Sequence, residues 1–168
     1  MKKIKLIILS LILVGGCALN AQTLSKSYNR YGLSMNYPSF LSIEDEDYTE
    51  GELTLELVNE DETCGMYIVV FAEEEVGLML ELLAIEDIFD VFKEGLASDL
   101  SDASFGGLKK SDDNTVSQSF SVKEDGVTLY GNMIFHAEDD KFIIVVLIAD
   151  DTKKMNVLKD AYETINVL

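Results

Sequence analysis

The chain has 168 residues, of which 48% are hydrophobic, and sets 31 acidic side chains against 13 basic ones for a net charge of −18. It is long enough for one domain with a real core, and too apolar and too periodic to be a disordered acidic tail. The negative field repels nucleic acid and anionic lipid, which excludes both as direct partners and favours a basic protein partner.

The chain opens on an export signal. Lys2, Lys3 and Lys5 precede an apolar run from Leu6 to Val14, broken only by Ser10, and small residues follow at Gly15, Gly16, Ala18 and Ala21. That order is the pattern of a bacterial signal peptide, and the run is too short for a permanent membrane span. Two processing routes stand. A signal over 1–21, cut after Ala21, would release the domain into the periplasm or the extracellular fluid. Val14-Gly15-Gly16-Cys17 instead resembles a lipobox, which would end the signal at residue 16 and lipidate Cys17, the only route to a membrane. The Asn20-Ala21-Gln22 ending is similar to exported proteins of the Bacteroidetes type. Cys64 has no internal disulfide partner on either route, so packing must supply the stability.

Residues 22–30 read as a short linker before a single domain over 31–168. Leu33, Met35 and Tyr37 alternate with polar residues, predicting a strand over 31–37 that Pro38 ends. A short strand over 40–43 follows, then a charged loop from Glu44 to Glu52. Leu53, Leu55 and Leu57 alternate within a strand over 52–59, a turn follows, and 64–72 (CGMYIVVFA) forms the next strand. Leu78, Leu82, Ile85, Phe89, Phe92, Leu96 and Leu100 recur at helical spacing and predict a helix from Val76 to Leu100. Strands over 104–110, 114–123, 127–136 and 141–149, joined by short turns rich in Asp, Asn and Gly, make an antiparallel meander. Asp151 or Thr152 caps a last helix that presents Met155, Leu158, Tyr162 and Ile165 on one face.

Two strands, 66–71 and 142–148, are continuously apolar and must be buried on both faces of their sheet. With two long helices available, one covers each face. The predicted fold class is α+β: a three-layer α/β/α sandwich around a central antiparallel sheet of about six or seven strands, with 142–148 in the middle.

The opening Tyr31-Gly-Leu-Ser-Met-Asn-Tyr37-Pro38-Ser-Phe40 and the order of hairpins, helix, meander and C-terminal helix resemble the PsbP-like superfamily. A strand opened by glycine and ended by an aromatic-proline pair is that family's start, and Tyr37-Pro38 is the one local motif shared. The resemblance covers nearly all of the chain after the leader. It implies the sandwich fold and a non-catalytic binding or assembly role, and it supplies no site residue, metal or cofactor.

Few residues suggest chemistry on their own. His136 is the single histidine, which rules out a multi-histidine metal site. It is expected as an exposed strand-end residue beside Glu138, Asp139 and Asp140, and no Gly-x-Ser-x-Gly elbow accompanies it. Cys64 is expected to be a half-buried structural cysteine whose thiol is raised by Asp61 and Glu62. Glu44, Asp45, Glu46, Asp47, Glu50 and Glu52 form the densest acidic cluster, expected as an ordinary solvated loop without a metal, with Asp45, Asp47 and Glu50 the weak candidates for divalent-cation ligands. The EF-hand spacing fails there, because Thr49 stands where Asp or Asn is required. Gly106-Gly107 lacks the surroundings of a phosphate loop. The 76–85 stretch is expected to pack in the core, its alternative being an exposed apolar surface. The expected function is therefore an exported, non-catalytic binding or assembly module of the cell envelope. Two alternatives stand beside it: an acidic inhibitor or immunity protein against a basic toxin or enzyme, and a small hydrolase using carboxylates of 44–52 or 138–140.

Overall fold

The structure, a computed structural model, describes residues 24–49, 51–72, 83–99, 103–124, 126–138 and 141–168. Its elements, in chain order, are β1 (Leu24–Arg30), β2 (Leu33–Pro38), β3 (Leu41–Thr49), β4 (Glu52–Asn59), β5 (Cys64–Ala72), α1 (Ile85–Asp99), β6 (Ser104–Asp112), β7 (Thr115–Glu124), β8 (Val127–Glu138), β9 (Lys141–Ala149), α2 (Thr152–Tyr162) and β10 (Asn166–Val167). A seven-stranded sheet runs β3-β4-β5-β9-β8-β7-β6 with every neighbouring pair antiparallel, and β1-β2-β10 form a small second sheet.

β9 occupies the middle of the large sheet, and its apolar run is buried on both sides as expected. Ile143, Val145 and Leu147 face one core, which Met155, Leu158 and Ala161 of α2 and Leu33 and Met35 of the small sheet complete. Phe142, Ile144 and Val146 face the other, under Ile85, Ile88 and Phe89 of α1. Phe89 is fully buried and meets Phe135 edge-on, with ring centroids 5.2 Å apart. Burial of a side chain of this size contributes about 1.5–3 kcal/mol, so α1 is held by its apolar stripe rather than by helix propensity. The fold is α+β, a sandwich with one helix on each face of the sheet. On β8, Gly131 lies under the Phe120 ring, where any Cβ would collide with it.

Three segments differ from their expectation. The stretch read as linker forms β1, whose modest LSKSYNR sequence buries Tyr28 and pairs with β2 across Tyr31-Gly32. Both turn residues take positive φ, 50° and 77°, the geometry of a tight hairpin whose twist suits the strands it joins. The expected charged loop from Glu44 to Glu52 is instead the second half of β3, which runs to Thr49 before the turn at Gly51. An edge strand pairs on one side only and tolerates exposed charge, so low strand propensity did not prevent pairing. The expected helix from Val76 begins, within the described residues, at Ile85; its portion over 76–82, with Leu78 and Leu82, and its end at Leu100 lie outside them. Two-residue β10 was not expected from the sequence and ties the far end of the chain to β2. The expected export signal with Cys17, and Glu50, Asp125, Asp139 and Asp140, also lie outside the described residues.

Candidate functional site

β3 is the outermost strand of the large sheet, and its backbone pairs with β4 alone. A bulge between Ile43 and Asp45 resets the alternation, so that Asp45 lies opposite Glu56, Asp47 opposite Thr54, and Thr49 opposite Glu52. Asp45, Asp47, Glu52 and Glu56 thus share one face. Like charges directly across a strand pair oppose pairing. The Glu56 carboxyl is pushed above the usual glutamate range, first by partial burial and then by Asp45, Glu44 and Glu62. Asp45 accepts the Glu46 N–H at 2.9 Å, and among the described residues no lysine or arginine forms an ion pair with any of these four acids.

The other face of β3 turns toward the small sheet and is bridged to β1. Lys26 Nζ donates to the Leu41 carbonyl at 2.6 Å, and Arg30 Nη1 contacts both Glu46 oxygens at 3.3 Å. The Tyr31 and Tyr48 rings stack with centroids 4.5 Å apart and planes 9° from parallel, each about half exposed. Tyr28 of β1 is buried close to the Glu46 carboxylate. Burial, then the Glu46 charge, pushes that phenol up to about 12.

Asp45 and Asp47, two of the three candidate cation ligands, fall on one face at an i, i+2 spacing of about 6.8 Å along the strand. Strand geometry spreads the acids of this segment along an edge instead of wrapping them around a point. Among the described residues no three acidic, cysteine or histidine side chains are grouped to hold a metal.

His136 is not at the strand end. β8 runs two residues past it, and it sits half-buried opposite Thr115 with Nδ1 2.9 Å from Thr115 Oγ1. Asp112 stands at the adjoining turn, its carboxyl held below the usual range by the Asn114 N–H and then by the Thr115 hydroxyl. Cys64 is fully buried, 1% exposed, and desolvation pushes its thiol up to about 12. Asp150 and Asp151, rather than the expected Asp61 and Glu62, add to that rise, while Lys154 opposes it. A thiol in that state is protonated and unreactive at neutral pH. Its backbone N–H donates to Asn59 Oδ1 at 2.9 Å, and Lys154 Nζ reaches Thr63 Oγ1 at 3.2 Å and Asp150 Oδ1 at 2.8 Å, tying the β4–β5 turn to α2. Gly106-Gly107 lies at a register shift in β6. A shallow cleft of about 320 Å³ at the start of α1 is crossed by the Lys110–Glu86 ion pair at 3.0 Å.

Two surfaces escaped sequence reasoning. One is the stacked Tyr31–Tyr48 pair, which joins residues of different sheets and leaves no local signal. The other is a polar face on β7 and β8 where Ser117, Ser119 and Ser121 lie beside Asn132 and the half-exposed Tyr130. That face was readable in the T-V-S-Q-S-F-S alternation of residues 115–121.

No protein-family model and no curated protein matches the chain. Among solved structures it is similar to the solution structure of cyanobacterial PsbP (CyanoP) from Synechocystis sp. PCC 6803. The two share 13% identity at a TM-score of 0.57, over 92% of this chain and 99% of that one. It is also similar to a crystal structure from Bacteroides thetaiotaomicron VPI-5482, at 16% identity and a TM-score of 0.55, over 87% of this chain. That match covers 49% of the Bacteroides chain, so this chain spans about half its length. At these identities the likeness is one of fold, and the fold is PsbP-like.

Proposed function

We propose, from the PsbP-like fold as premise, that this chain is an exported, non-catalytic binding or assembly module of the cell envelope, and that its acidic β3–β4 edge engages a basic protein partner. The observation that carries this reading is the cross-strand pairing of Asp45 with Glu56, flanked by Asp47 and Glu52, with no ion-pair partner among the described residues. The free protein bears that repulsion, and a cationic surface would relieve it. An inhibitor or immunity protein against a basic toxin is the narrower form of the same reading, since charge steering would speed its association at low salt. No helix among the described residues is long and apolar enough to cross a membrane.

The test is a pull-down from envelope fractions with wild type and an Asp45→Asn/Asp47→Asn/Glu56→Gln variant, each at low and at high salt. A basic protein retained by wild type at low salt, and lost both at high salt and by the variant, is the expected result. Retention that ignores salt and the variant would refute the acidic edge as the contact. Labelling with a radioactive fatty acid, in wild type and Cys17→Ala, distinguishes the tethered form from the released one.

A further inference from the structure

We infer, resting on the reading above, that β3 is a docking edge to which an extended basic segment of the partner adds as a further strand of the large sheet. The outer side of β3 carries a row of backbone N–H and C=O groups with no strand beyond it among the described residues. Such a row is a template for strand addition, in which main-chain hydrogen bonds supply affinity and alternate side chains supply specificity.

This edge is held in strand geometry before any partner arrives. Two bridges from β1 and one from its turn brace it in parallel order: Lys26 to the Leu41 carbonyl, Arg30 to Glu46, and Tyr31 on Tyr48. An edge already ordered loses little conformational entropy on docking.

Charge selects the occupant. Asp45 and Asp47 lie two residues apart on one face, so an incoming strand with lysine or arginine at every second position would set a cation against each. The strand's other face would run past Glu46 and the exposed ring of Tyr48, a flat surface that also attracts cations. The same acids make β3 repel β3 of a second copy, so the edge resists self-pairing while accepting a basic strand.

The probe is a short peptide alternating lysine and valine, compared with the same peptide N-methylated at alternate amides. N-methylation keeps the charge and removes the donors that strand addition needs. Calorimetry at low salt and amide exchange of wild type are read together, with Asp45→Asn/Asp47→Asn as the edge variant and its melting temperature as the folding control. The expected result is binding that protects β3 amides, is roughly tenfold tighter than for the methylated peptide, and weakens several-fold in the variant. Equal affinity for both peptides, or no protection of β3, overturns strand addition while leaving the acidic-edge reading in place. Binding that the variant leaves unchanged overturns β3 as the location. Failure of both peptides to bind at low salt overturns the inference and the acidic-edge reading together.

Discussion

At Thr115 a single hydroxyl proton decides the state of its neighbour. With its proton directed to Asp112, the oxygen would accept from His136, which would place a proton on Nδ1 and leave Nε2 as the acceptor of a neutral ring. Nitrogen NMR of wild type is expected to show the Nδ1–H tautomer, and Thr115→Val to show the mixture typical of a free imidazole. Finding Nε2–H in wild type would refute the arrangement. Asp112 gives the pH direction: its carboxyl is depressed in the folded protein, so its contribution is present above the unfolded value and lost as pH falls through the folded one. Residue identities were legible in the sequence, but their surroundings were not. Cys64 was read as structural, yet its thiol is raised chiefly by burial and by acids remote in sequence, which local composition does not contain.

Among the elements, α2 shows what local chemistry can specify. Asp151, one of the two caps that the sequence offered with Thr152, accepts the Lys153 and Lys154 N–H groups at 2.7 and 2.9 Å. Asp151→Ala is expected to cost about 1 kcal/mol in urea unfolding, and a change near zero would show the cap to be replaced by water. Strands with strong alternation or continuous apolar runs, such as β4, β5 and β9, were legible to within a residue or two at their ends. β1 and the second half of β3 were not, because strand formation there comes from a neighbour. β1 needs β2 to bury Tyr28, and the EDED stretch needs the apolar ladder of β4 beside it. The candidate site was half legible for the same reason. Its acids stand out in the sequence, whereas their distribution over two faces follows from a bulge at Ile43 and Asp45 that no residue pattern announces.

For the molecule as a whole, negative charge is concentrated at the acidic edge and at the hairpin turns of both sheet ends. Glu60 and Asp61 lie at the end where Cys64 pairs with Ala149, and Asp113 and Glu138 lie at the opposite end, where Ala72 pairs with Lys141. Self-repulsion of this kind opposes compaction and is relieved by salt or acid. Glu56 is raised first by its partial burial and then by this repulsion from Asp45, Glu44 and Glu62. Its carboxyl is raised on folding, so the native state binds more protons than the unfolded state between the two values, and its contribution to stability falls as pH rises through that window. Glu56→Gln is therefore expected to stabilise the protein at pH 7 by about 0.2–1 kcal/mol, the usual size of a cross-strand charge term, and to lose that gain in acid. Thermal melts of both proteins across pH check it; an equal gain at every pH would mean that charge is not the cause.

The small sheet carries a consequence for how the chain is made. Leu33 and Ser34 pair with Val167 and Asn166, and Thr164 exchanges hydrogen bonds with Asn36 across 128 positions of sequence. A ribosome delivers the amino end first, so the β1–β2 hairpin must wait, with one edge unsatisfied, until the entire large sheet and α2 have been synthesised. Closure by β10 is thus a late, high-contact-order event. Until then the hairpin is exposed to chaperones, which gives a cell an interval in which to hold the chain open before it locks.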